Sequence, residues 1–166
     1  MNTGKVTLNE FIVERLDAGY RWIESLSEGV SEEQFYHQPT HDTNSIAWLV
    51  WHLSRWRDRV SASVTGDDQV WVSEGWAQSF GMEEDRTGLG DTTEQVASFR
   101  VPRHQVLGYA AAAHQAIVER VKSIPAELFN QQIASVYGDE RPVWKIFAGV
   151  IGDSTEHVGQ INYLRG

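Results

Sequence analysis

In the closing stretch GDSTEHVGQINYLRG, residues 152 to 166, Asp153 and His157 stand four positions apart. On a helix this spacing leaves them about 40° apart around the axis and roughly 6 Å along it, so both can face one ligand. With each residue advancing ~100°, the pair shares a sector with Ile146, Val150 and Leu164. A carboxylate and an imidazole are thus turned partly toward the core, where an unpaired charge is costly. Two readings follow: a half-buried hydrogen bond, or part of a metal site. His52 lies at the edge of an earlier apolar stripe, Leu49, Leu53 and Trp56, and a bundle can set it opposite the closing helix. Two imidazoles and one carboxylate with open positions suit Zn(II) or Ni(II) first, and Fe(II) or Mn(II) after them. His114 sits mid-stripe in a third segment and reads as a core histidine, with a role beside or among the ligands as the alternative. His37, His41 and His104 read as loop or surface residues, and Glu156 and Asp58 as solvated ones.

Four long amphipathic segments must position these groups. The first runs from about Leu8 to Leu26, with Phe11, Ile12, Leu16, Gly19, Ile23 and Leu26 recurring at helical spacing. After the break SEGVSEEQ, Ser31 and Gln34 form a capping-box pattern for a short turn that stops before Pro39. The second long helix is expected from about Asn44 to Val64, capped by Thr43 or Asn44 and ended by Gly66, with Ile46, Leu49, Leu53, Trp56 and Val60 as its stripe. A long connection to about Val101 follows, and its Trp71, Trp76 and Phe80 favour a packed, site-covering loop. The third helix starts near Pro102 and passes Leu107, Ala110, His114, Ile117 and Val121 until Pro125 interrupts it. Beyond a PAELFNQQ turn and a polar YGDERP connection, the fourth runs from about Pro142 to Tyr163. No strand alternation and no internal repeat are evident, so the fold class is all-α: one four-helix bundle over residues 1 to 166, with a long loop between helices 2 and 3.

Composition removes several function classes. With 14 basic against 23 acidic side chains the formal charge is -9, and no basic cluster interrupts it, so no nucleic-acid partner is expected. No apolar run approaches the ~18 residues of a membrane span, and the polar start MNTGKVTLNE lacks a signal core; no membrane partner and a cytoplasmic location are expected. The chain has no cysteine, so a thiol in its chemistry must come from a small molecule. Zincin, phosphate-loop and nucleophile-elbow motifs are missing, as is the Glu-x-x-His pair of di-iron bundles.

TNSIAWLVWHLSRWRDRV, followed about a hundred residues later by DSTEHVGQINYLRG, resembles the DinB/YfiT-like superfamily of metal-binding four-helix bundles. The GW…SFG loop and the closing INYLRG look similar to a branch known as a domain of unknown function, beside the mycothiol-dependent maleylpyruvate isomerase type. The resemblance implies His52, Asp153 and His157 as ligands of one divalent ion. Asp153 departs from the histidine that most relatives carry there. It also implies metal-assisted thiol transfer or isomerisation, with mycothiol or bacillithiol and an electrophile as the small-molecule partners. On that reading the Trp71/Trp76 loop shapes the electrophile pocket and Gln160 orients a ligand. Two rivals remain: a metal-dependent hydrolase that activates water, and a non-catalytic bundle that binds a small molecule or assembles with itself. Trp48 and Trp51, off the main stripe, are expected to line a homodimer surface.

Overall fold

The computed structural model describes residues 4–166; Met1–Thr3, part of the polar start, lie outside the described residues. α1 spans Leu8–Glu24 and opens on a capping box in which Thr7 and Glu10 satisfy each other's backbone. Ile12, Leu16 and Ile23 turn inward, whereas Phe11 faces solvent, 52% exposed. Past Ser25 come two short helices, α2 (Leu26–Gly29) and α3 (Glu32–Tyr36), and α3 carries the expected Ser31–Gln34 box. α4 spans Ile46–Thr65; its cap is Ser45 rather than Thr43 or Asn44, and Gly66 closes it at φ +77°.

The long connection that follows is folded, not extended. It holds three single-turn helices, α5 (Val70–Ser73), α6 (Trp76–Phe80) and α7 (Thr93–Ala97). α8 spans Arg103–Ser123 directly after Pro102. A 3₁₀ turn over Ala126–Asn130 leads to a small antiparallel hairpin, β1 (Gln132–Ala134) and β2 (Glu140–Pro142), and then to α9 (Val143–Arg165). The hairpin was not expected from the sequence, because strands of three residues are too short to display an alternation. Among the described residues no helix is long and apolar enough to cross a membrane.

α4 packs against α8 and α9, and α1 packs against the same two helices, so α1 and α4 face each other across the bundle. α4 is buried nearly all round, because the connection and α3 cover the side that α8 and α9 leave. Trp48 and Trp51 are 6% and 0% exposed, which overturns their expected place on a dimer surface.

Covering α4 on every side also buries its charges. Asp58, expected to be solvated, has no exposed surface. Its carboxylate accepts the backbone N–H groups of Val70 at 3.1 Å and Trp71 at 2.9 Å, the Tyr109 hydroxyl at 3.2 Å and Arg120 Nη1 at 3.0 Å. Arg55 stands 3.6 Å away, equally buried. Sequence periodicity sees one apolar stripe and misses this second buried face, whose polar residues are satisfied by partners far along the chain. Removing one member of such a network strands the others. Asp58→Ala is therefore expected to lower stability by roughly 3–5 kcal/mol in urea denaturation; a loss below about 1 kcal/mol would show that the network is not a keystone.

Candidate metal centre

His52 sits midway along α4, 7% exposed. Its ring stacks on Trp48, with centroids 4.6 Å apart and planes at 10°. Nδ1 stands 2.6 Å from the Thr87 carbonyl oxygen in the long connection. A carbonyl only accepts, so Nδ1 carries the proton and Nε2 the lone pair of the neutral ring. Burial pushes the His52 pKa down, the Thr87 bond opposes this in part, and the charge of His157 adds to the depression. His52 is held neutral, with one defined tautomer.

The next residue explains why that carbonyl can come so close. Gly88 has φ +86°, and a Cβ there would lie 2.8 Å from Trp48, 2.9 Å from His52 Nδ1 and 2.9 Å from Trp51. Only glycine fits both the backbone conformation and the space. The segment around it is tied down on both sides. Arg55 donates to the carbonyls of Glu84 at 3.2 Å and Arg86 at 3.0 Å, while Asp91 accepts Trp48 Nε1 at 2.9 Å and Arg86 Nη2 at 2.8 Å. Sequence reasoning missed Thr87, Gly88 and Asp91; the run TGLG signals a turn but not what the turn touches.

α9 brings the other two groups. The His157 ring lies edge-on to His52, centroids 5.2 Å apart, and its Nε2 is 3.4 Å from Asp153 Oδ1. His157 Nδ1 meets Gln160 Oε1 at 2.9 Å. Burial works against a charge on His157, but the Asp153 and Gln160 hydrogen bonds and the Asp153 carboxylate outweigh it and raise the pKa. The three residues singled out from spacing are thus brought together, and Gln160 orients His157. Among the described residues no group of three or more His, Asp or Glu side chains stands at metal-ligand distances. In type and tautomer the donors nevertheless fit an ion. Both imidazoles present Nδ1 to an oxygen acceptor, which leaves His52 an Nε2 lone pair, while Nε2 of His157 stands against the Asp153 carboxylate. Tyr137, from the hairpin, stacks on Trp56, and Asp153's charge contributes to its raised pKa, second to burial. The YGDERP stretch had read only as a connection.

Trp71 and Trp76 stand elsewhere. Trp71 is fully buried and packs on Trp51, Phe80 and Tyr109; Trp76 lies over Gly108 and against Phe80 and Tyr109. Trp71 is a core residue rather than a pocket wall, and the tryptophans against His52 are Trp48, stacked, and Trp56, edge-on.

Residues 15–161 match the DinB superfamily, and the chain belongs to it. No functionally curated protein matches. A crystal structure described as the conserved protein of locus from Enterococcus faecalis superposes with a TM-score of 0.86 at 21% identity, covering 97% of this chain and 96% of that one. That likeness establishes the fold alone.

His114 is the core histidine of the first reading. Nε2 lies 2.9 Å from Asp17, the ring stacks on Tyr20 at 4.0 Å, and Nδ1 is buried without a partner. Burial, then the nearby Arg57 cation, press its pKa down to about 4 against the pull of Asp17. Between the ordinary 6.5 and about 4 the unfolded chain binds more protons at this residue than the folded one. Its contribution is present above pH 6.5 and lost as pH falls toward about 4. His114→Gln is expected to flatten the stability profile in that window by on the order of 1–3 kcal/mol, read by chemical denaturation at each pH; an unchanged slope would contradict it.

Proposed function

We propose that the chain is a divalent-metal-dependent enzyme in which His52, Asp153 and His157 hold one ion, zinc or nickel before iron or manganese, and which acts on a small-molecule thiol and an electrophile by S-transfer or isomerisation. The observation that carries this reading is the pair of imidazoles, each with Nδ1 against an oxygen, His52 keeping an Nε2 lone pair and His157 setting Nε2 against the Asp153 carboxylate. Capping of this kind is how metal-binding histidines are oriented and made more basic.

A divalent cation held there supplies the positive charge that favours a thiolate over a thiol at neutral pH. The chain's own residues prepare for it. Asp153 stands 3.4 Å from His157 Nε2 and helps to raise the pKa of that ring, so a cation bound to His157 would displace its Nε2 proton and uptake would release acid. Thr87 keeps the His52 ring from turning, and Gln160 does the same for His157. Trp48, stacked on His52, shields one face of the ring from water. The lack of cysteine agrees with an external thiol, of the mycothiol or bacillithiol type that the sequence resemblance implies.

A hydrolase would use the same donors on water. The two are separated by mixing metal-loaded protein and an electrophile with and without thiol. Acceleration that requires the thiol supports the proposal; equal acceleration in water alone makes the protein a hydrolase. Ahead of that, elemental analysis of tag-free protein purified without chelator should find near one equivalent of Zn, Ni, Fe or Mn. Asp153→Asn, which keeps the shape and removes the charge, should lose most of it while melting within a few degrees of wild type. Full metal retention in that variant would remove Asp153 from the site.

A further inference from the structure

With Trp48 and Trp51 buried, the surface still carries large aromatics, and two of them share one helix. Phe11 and Trp22 on α1 are 52% and 50% exposed. At ~100° per residue Trp22 lies about 20° from Phe11 around the axis and Ala18 about 20° to the other side, so the three form one outward stripe, turned away from Ile12, Leu16 and Ile23. A single exposed aromatic is ordinary on a protein surface. Here the stripe also has a groove at one end, where Lys5, Val6, Glu10, Phe11 and Glu14 enclose about 490 Å³. Its apolar wall is Val6, 75% exposed, and Phe11. Glu10 is taken up by the capping box with Thr7, whereas Glu14 stands further along the helix at the groove rim.

We propose that this face is a two-fold interface between copies of the chain, in which the Trp22 indole of each enters the Val6–Phe11 groove of the other. Shape and charge both select a second copy as the occupant. Knob and groove lie on one helix, and a two-fold contact sets residue i against j and j against i. Laid antiparallel with Phe11 opposite Trp22, two copies of α1 also put Glu14 opposite Arg21, because the midpoints of the two pairs differ by one residue, about 1.5 Å of rise. Glu14 and Arg21 lie about 60° and 80° from Phe11 on the same flank. Two-fold symmetry brings like flank to like, so the charges meet. Ala18 sits near the centre, where its small side chain lets the backbones approach. Within one copy Arg21 Nη2 reaches Glu14 Oε1 at 3.4 Å with both side chains more than half exposed, a loose pair that association exchanges at little cost. Arg15, on the other flank, lays its stem along the seam and keeps its head in water.

One 17-residue helix and the residues just before it make a small contact, below the ~800 Å² per partner of a standard interface. Association is therefore expected to be weak and reversible, with a dissociation constant on the order of 10 µM. The experiment is sedimentation equilibrium of the tag-free full chain between about 1 and 300 µM, a range that brackets that constant. Wild type should pass from the mass of one chain to the mass of two. Trp22→Ala should raise the dissociation constant at least tenfold, since the truncation is felt twice per dimer. Its melting temperature should stay within a few degrees of wild type, because the side chain is half exposed.

Charge reversal separates this contact from any other way of associating. Glu14→Arg sets two cations against each other at both ends of the seam, and Arg21→Glu sets two anions there, so each variant alone should associate about tenfold more weakly. Mixed in equal amounts, the two variants restore opposite charges at both ends and should form a heterodimer at least as tight as the wild-type dimer. The advantage of the mixture should shrink at about 0.5 M salt. Wild type that keeps the mass of one chain at about 300 µM overturns the proposal. So does a dimer that Trp22→Ala leaves unchanged, or a mixture that associates no better than its components.

Discussion

A carboxylate with no access to water must find its counter-charges inside the protein, and Asp58 finds them by folding a distant stretch of chain onto α4. Val70 and Trp71 give it their backbone N–H groups, and Arg120 reaches it from α8. One turn away on the same helix, Arg55 takes the carbonyls of Glu84 and Arg86 and the side chain of Gln69. These bonds pin both ends of the segment that ends in Thr87 and Gly88. A buried ion pair of this kind adds little net stability over an apolar filling. What it contributes here is position: the Thr87 carbonyl can sit 2.6 Å from His52 because the loop behind it has nowhere else to go.

α4 thus serves two sides at once. One face, with Arg55 and Asp58, holds the connection; another, with His52 and Arg57, meets α9. Arg57 is itself buried, donates to Ser154 Oγ at 3.2 Å, and runs past Gly19 of α1, where a Cβ would stand 3.0 Å from its Nη2. Gly19 thus leaves room for a cation between α1, α4 and α9. Burial pulls the Arg57 pKa down to about 10, against the fields of Asp153, Tyr20 and Asp17. The neighbourhood of Asp153 is therefore electrically balanced from behind by a group on the helix that also carries His52.

Much of this was legible in the sequence, and the reason differs from element to element. The long helices show because Ile12, Leu16 and Ile23, or Val150, Val158 and Ile161, repeat at the period of one buried face. His52, Asp153 and His157 could be named because chemistry-bearing side chains on an otherwise apolar face are rare, and because the resemblance to the DinB superfamily points to the same three positions, with Asp153 departing from the histidine most relatives carry there. Asp58 escaped because periodicity assumes a single inward face, whereas α4 has neighbours on all sides. Trp48 and Trp51 were placed outside for the same reason. Thr87 and Gly88 act through backbone atoms and a missing Cβ, which no pattern of side-chain types encodes. Trp71 was assigned to a pocket because aromatics in a long loop suggest one; its ring instead fills the core that the loop creates.

The central proposal is that His52, with Nδ1 protonated and an Nε2 lone pair, and His157, with Nε2 against the Asp153 carboxylate, hold one ion. Long-range ¹H–¹⁵N NMR of the histidine rings during zinc titration reads this directly. The account predicts that His52 starts as the Nδ1-protonated neutral tautomer, and that zinc shifts Nε2 of His52 and of His157 together, at one equivalent, while both Nδ1 protons persist. A His52 ring protonated on Nε2, or zinc that leaves both rings unchanged, would contradict it.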